Sequence, residues 1–147
     1  MPFEHPYIRI GDLAPEKMDE AQGWAVSEFR VVLSEKENCS STMFHAVFQA
    51  GDRLKKHRHD SCDEQYYVVS GHGLAGAGAD RVEVHAGHYH YIPKGVEHWL
   101  VNLSRNEPLI ILGLYDRAPN MGATGYVFCG DVTEDDLRAP RTLRNDN

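Results

Sequence analysis

Long apolar runs are missing from this chain of 147 residues. The longest, Leu109 to Tyr115, has the length of a strand and falls far short of the ~18 residues that cross a bilayer as a helix. The opening "MPFEHPYIRI" has no basic stretch followed by an apolar one, so no secretory leader and no membrane partner are expected. Cysteine is scarce: Cys39, Cys62 and Cys129 are an odd number with no close pair. That argues against a disulfide framework and a C-x-x-C zinc site, and points to a reducing cytoplasm. Positive charge is in deficit, with 15 Lys and Arg against 22 Asp and Glu and a net charge of −7. No basic block is interleaved with aromatics, so nucleic acid is not an expected partner. Long amphipathic helical patterns are absent too. With 41% apolar and 25% charged residues, the composition is that of a globular chain able to close one core.

What is present is a series of short β-type runs from Trp24 to Phe128, such as "TMFHAVFQA", "RLKKHRH", "EQYYVVS", "HYHYIP" and "LIILGLYD". Turn residues separate them: Gly51-Asp52, Gly71-His72-Gly73, Asp80-Arg81, Pro93-Lys94-Gly95 and Ser104-Arg105-Asn106. Many short strands at this spacing predict an all-β sandwich or small barrel. Local signals add two short helices at its flanks. "APEKMDEAQG" has Pro15 at a first helical position and Gly23 as a stop, and "TEDDLR" places Asp136 three residues after Thr133 as a capping box. The last residues, "APRTLRNDN", read as frayed. With no repeat or linker, residues 1–147 are expected to form one domain, with an N-terminal arm 1–23, a barrel core of about 24–128 and a tail 129–147.

Histidine is the outlier in composition, at nine residues, most of them between positions 45 and 98. In "GDRLKKHRHDSCDEQYYVVSG", His57 and His59 stand two apart, so on a strand both imidazoles share a face. Glu64 follows after a turn, early in the next strand, where it can face them. Two histidines and a carboxylate on one face are a usual site for a divalent ion. The competing reading is a set of solvated strand side chains. In "GHYHYIPKGVEHWLVN", Pro93 and Gly95 make a tight turn and His98 starts the strand that leaves it. A sheet closing on itself brings His98 opposite the first three.

These two stretches resemble the two motifs of the cupin family. Gly51, His57, His59, Glu64 and Gly71 match G(X)5HXH(X)3-4E(X)6G, and Gly87, Pro93, Gly95, His98 and Asn102 match G(X)5PXG(X)2H(X)3N, at every fixed position. The resemblance implies an antiparallel jelly-roll barrel with a metal ion in its mouth, held by His57, His59, Glu64 and His98. It implies turn roles for the glycines and Pro93 and a structural role for Asn102. It does not choose a reaction, because one fold hosts many chemistries.

Other residues are weighed beside that set. His88 and His90 are extra ligands or a proton shuttle, or they point out of the barrel. Strand alternation puts either these two or Tyr89 and Tyr91 inside. The family's habit of an exposed polar residue after the motif glycine favours Tyr89 and Tyr91 inside. Tyr66 shares the side of Glu64 and is core packing or a phenol for substrate. His45, one strand earlier, is a candidate general base or a satisfied sheet histidine. Cys62 reads as an ordinary loop thiol. Met43, Phe44, Phe48, Trp99, Leu100 and Leu114 are expected to line or pack the barrel.

Three imidazoles and a carboxylate leave two positions open on a six-coordinate ion. Fe(II) is favoured as the cofactor, with Mn, Ni, Co or Zn as alternatives. The leading functional reading is a dioxygenase acting on an enol, aromatic or other bidentate oxygen substrate. The second is a redox-neutral lyase, isomerase, cyclase or decarboxylase, in which Tyr66, Tyr89, Tyr91 or His45 moves a proton. The third is a non-catalytic metal or small-molecule binding module. A small-molecule substrate is the expected partner, and a homodimer the expected assembly.

Overall fold

The alternating runs become eleven strands in a computed structural model that describes residues 7–143. They are β1 (Trp24–Ala25), β2 (Glu28–Leu33), β3 (Thr42–Phe48), β4 (Arg53–His59), β5 (Glu64–Ser70), β6 (His72–Ala77), β7 (Asp80–His85), β8 (Tyr89–Ile92), β9 (His98–Val101), β10 (Leu109–Tyr115) and β11 (Tyr126–Gly130). All pairings are antiparallel. One sheet runs β1-β4-β9-β6-β7, with β11 beside β4, and the other runs β2-β3-β10-β5-β8. The two face each other as a jelly-roll barrel. Among the described residues no helix is long and apolar enough to cross a membrane.

Strand alternation decides what lies between the sheets. On β3, Thr42, Phe44, Ala46 and Phe48 are buried while Met43, His45 and Val47 are only partly covered. On β10, Leu109, Ile111, Gly113 and Tyr115 point inward while Leu114 points outward. Phe44 and Phe48 therefore pack the barrel as expected, with Leu100, whereas Met43 and Leu114 lie on its outer face. Trp99 is also outside. It joins Leu74, Val101 and Val132 in a second small cluster. All of β9 is buried because the barrel covers one face and this cluster covers the other.

The cover is the helix α1 (Glu134–Arg138). Its capping box forms as the sequence predicts: Thr133 Oγ1 accepts from the Asp136 N–H, and Asp136 Oδ2 accepts from the Thr133 N–H. Asp136 is buried and also meets Lys56 Nζ and Arg81 Nη2, each at 2.7 Å. Arg81 in turn lies over the Trp99 ring. Burial works to raise the Asp136 carboxyl, but the hydrogen bond from Lys56 and the Thr133 and Arg81 contacts override it and hold it well below its ordinary value. A carboxyl depressed in the folded state adds stability above its unfolded pKa, near 4, and loses it as pH falls through the lower folded value. Asp136→Asn is expected to cost about 3 kcal/mol at pH 7. The gap in thermal midpoint between the two proteins should narrow as pH is lowered toward 3. An equal gap at both pH values would remove the charge argument.

Two flanking expectations change. Residues 15–23 do not form a helix. Asp19 caps a single 3-10 turn at Glu20–Gln22, and Gly23 ends it in the left-handed region. The Glu16 N–H instead pairs with the Phe29 carbonyl, and Met18 and Trp24 pack against the core. Tertiary contacts thus take the segment that local signals favoured as helix. The tail is not frayed through residue 142. Thr142 exchanges hydrogen bonds with the Arg81 backbone, and Arg141 reaches Glu83. The remainder of that tail, 144–147, and the start of the arm, 1–6, lie outside the described residues.

Candidate metal centre

His57 and His59 close β4, Glu64 opens β5 and His98 opens β9. Antiparallel pairing sets His57 opposite His98 across the β4–β9 ladder. One potential ligand atom from each of the four residues lies within 4.8 Å of the others, and all four side chains are buried. The Nδ1 of His57 lies 2.6 Å from the Lys55 carbonyl and that of His98 lies 2.9 Å from the Val96 carbonyl. Donation there fixes each ring and leaves Nε2 with its lone pair toward the centre.

The bonding inside the set is incomplete. His98 Nε2 is 2.5 Å and His59 Nε2 is 3.5 Å from Glu64 Oε2. His57 Nε2 and both nitrogens of His59 are buried without a hydrogen-bond partner. Buried polar atoms need partners, and leaving them bare costs about 1–3 kcal/mol each. A divalent ion bound by three imidazoles and one carboxylate satisfies His57 Nε2 and one nitrogen of His59 at once, so the donor set fits the ion.

The electrostatics agree. Burial and the nearby His98 push the His57 imidazole down to about 3, so it is neutral and ready to ligate. Burial works to raise the Glu64 carboxyl, but the His98 and His59 imidazoles override it and hold it well below the carboxylate range. Burial works to lower His98, and the Glu64 carboxylate overrides that and raises it.

Turns hold the ligands in place. Gly95, at φ 80°, donates its N–H to the His59 carbonyl, so the Pro93–Gly95 turn pins the end of β4. Gly71, at φ 82°, cannot carry a side chain, because a Cβ there would lie 2.2 Å from the Pro108 carbonyl oxygen. Asn102 fastens the far end, donating to the Phe48 and Glu107 carbonyls and accepting from the Ser104 N–H.

The structure reverses the expected phase of β8. Ile92 is buried opposite Glu64, and His90 faces Tyr66 inside the barrel. Tyr89 and Tyr91 are exposed, and their hydroxyls go to Gln65 and Asp63. His45 is not near the ligands. It lies on the outer face of β3 between Arg30 and Leu112, and burial followed by the Arg30 charge lowers its pKa. Tyr66 is where it was expected, buried on the side of Glu64, with its hydroxyl 2.9 Å from His90 Nδ1. Burial and Glu64 raise this phenol far above its usual range, so it stays protonated. Cys62 is a buried loop thiol, pushed up to about 11 by burial, and is unreactive.

Three aromatic neighbours were not singled out by the sequence. Tyr115 faces Glu64 across the β5–β10 ladder, packs 4.8 Å from the His59 ring and has a buried hydroxyl without a partner. Tyr126 stacks 5.2 Å from His57, and Trp24 stacks on both. Tyr115 was hidden at the end of the apolar Leu109–Tyr115 run. Its alternation with Ile111 and Gly113 was the signal that placed it inside.

A cleft of about 360 Å³ opens beside this centre, lined by Ala75, Ala77, Val84, His90, Pro93 and Val96 among others. Ala77 faces His98 in the β6–β9 register, which sets the cleft next to the ligands. A larger polar cleft of about 650 Å³ lies elsewhere, between the segment around Trp24 and Asp131, and contains none of the four ligands.

Residues 44–115 match the family model described as Cupin domain. The uncharacterized protein MJ1618 of Methanocaldococcus jannaschii is 32% identical over 71 residues, which cover 48% of this chain and 56% of that protein. The chain thus spans little more than half the length of this relative. Among solved structures, a predicted oxalate decarboxylase from Thermotoga maritima superposes with a TM-score of 0.67 at 22% identity, covering 74% of this chain and 96% of the other. The polyketide cyclase RemF from Streptomyces resistomycificus gives 0.64 at 15%, covering 76% and 78%. At these identities the likeness is one of fold.

Proposed function

We propose, for a chain that belongs to the cupin superfamily, that its barrel is a metal-dependent enzyme for a small molecule presenting two oxygens to the ion. The observation that carries this reading is the set of four buried ligands with lone pairs left bare on His57 and His59. A bound divalent ion supplies Lewis acidity toward a carbonyl or carboxylate, and iron adds electron exchange with O2.

The reaction class that the side chains support best is redox-neutral: lyase, isomerase, cyclase or decarboxylase. His90 lines the cleft and is hydrogen-bonded to the protonated Tyr66, so it can accept a proton from substrate and return it. Tyr66 holds the imidazole in one orientation. Tyr115 offers a further hydroxyl beside His59. The apolar residues Ala75, Val84 and Val96 keep the cleft poor in water. A decarboxylase and a cyclase are named among the solved relatives, which supports this class. The second reading is the Fe(II) dioxygenase. It is favoured by the same apolar cleft, which suits an aromatic or enol substrate, and it needs no proton relay.

Metal content after anaerobic purification, followed by substrate screens with and without O2, tests both. Anaerobic turnover supports the redox-neutral class, and oxygen uptake with stoichiometric iron supports the dioxygenase. Absence of bound metal on repeated preparations would overturn both readings. His90→Ala is expected to lower kcat by about 10²–10⁴-fold with metal content unchanged. Loss of metal in that variant would instead place His90 among the ligands.

A further inference from the structure

A second group of histidines sits at the end of the barrel away from the four ligands. Ala77, at one end of β6, faces His98, while His72, at the other end, faces His85 of β7. His72 and His85 are exposed, and their rings lie stacked 5.9 Å apart with planes 23° from parallel. They share the outward phase of Leu74 and Arg81 and so project from the outer surface of the sheet. His88 packs its ring 5.7 Å from that of His85 and accepts the His85 backbone N–H on Nδ1 at 2.8 Å. The backbone there is held further by the His88 N–H on the His85 carbonyl and the Gly87 N–H on the Val68 carbonyl.

Residues directly opposite on antiparallel strands have Cβ atoms about 4.5–5.5 Å apart. Two imidazoles at that spacing can turn their free nitrogens onto one ion by side-chain rotation alone. The backbone under His85 is already fixed, so little ordering is left to oppose binding. The net charge of −7 favours a cation. We propose that His72 and His85 form a surface site for a borderline transition-metal ion, Cu(II), Ni(II) or Zn(II), separate from the barrel centre. His88 is the group that steadies the His85 backbone. Imidazole ligands without a carboxylate discriminate against Mn(II), which prefers oxygen.

The test is calorimetric titration of the metal-free full-length protein with Ni(II) and, separately, Mn(II). Two ions are expected for Ni(II) and one for Mn(II). His72→Ala, His85→Ala and their double variant should each bind one Ni(II), and His59→Ala should retain the surface ion. These surface substitutions leave the core intact, and circular dichroism checks this. Unchanged Ni(II) stoichiometry in the double variant would overturn the proposal. If the parent binds one Ni(II) and His59→Ala loses it, the surface site is refuted. If that single ion is lost in His85→Ala, the surface site stands and the barrel reading fails.

Discussion

His59→Ala is expected to lose most of its bound metal, to melt several degrees lower than the parent in excess metal, and to lose turnover. Among the four ligands, His59 alone has both ring nitrogens buried and without a hydrogen-bond partner, and Glu64 Oε2 comes only to 3.5 Å of it, so a bond to an ion is the interaction this imidazole lacks. Removing even a supporting residue of a metal site costs about 10–100-fold in affinity, and a direct ligand costs more. An ion present at about 100 times its dissociation constant adds ~2.7 kcal/mol to the folded state. At ~2–4 °C per kcal/mol for a chain of this size, that is a rise of roughly 5–10 °C. The variant should not show that rise, and a chelator should barely move its midpoint. The measurement is elemental analysis paired with melting in the presence and absence of metal. Full metal retention by the variant would sink the ligand assignment. Equal melting of both proteins after chelation shows that the difference comes from the ion and not from a damaged core. The Tyr115 and His98 rings beside His59 could collapse into the space left by the imidazole, so a parallel His59→Gln variant, closer in volume, guards against misreading a packing defect.

The site was legible because a strand repeats every two residues. Once His57 and His59 are assigned to one strand, their shared face follows from the pleat; Glu64 meets them from β5 of the opposite sheet, and the turn at Pro93–Gly95 fixes where His98 begins. The phase of β8 was not legible. "YHYI" alternates two amphipathic residue types, and either could face inward. Only the pairing of Ile92 with Glu64 and of His90 with Tyr66 decides it. Trp99 escaped for a related reason. Every residue of "HWLV" is buried, so the run looks wholly internal, while one of its faces is covered from outside by α1 and Val132. Local capping chemistry was reliable at Thr133, where Asp136 also has cationic partners to meet. It failed at Pro15–Gly23, where a strand edge and core contacts offered more than a free helix of that length could.

Gly113→Ala is expected to destabilise the protein and weaken metal binding together, because one methyl there acts through three stacked rings. Gly113 faces inward on β10, and a Cβ at this position would lie 2.1 Å from Phe44 Cζ. Phe44 cannot step aside. It is fully buried between Phe29 and Tyr115, with ring centroids 5.2 and 4.7 Å away. Alanine gains about 0.5–1 kcal/mol over glycine in strand entropy, but forcing extra volume into a packed core costs about 1–3 kcal/mol. The clash therefore wins, and the midpoint should fall by a few degrees. Tyr115, pushed by Phe44, is the ring that packs on His59 at 4.8 Å, so the strain reaches a ligand. Metal occupancy at limiting ion should drop in Gly113→Ala while the ligand set itself is unchanged. Phe44→Leu relieves the contact, so the double variant should be more stable than the sum of the two single changes, a coupling readable by a double-mutant cycle. Additive stabilities, or a Gly113→Ala protein with normal metal affinity, would show that the barrel wall and the ligands are packed independently.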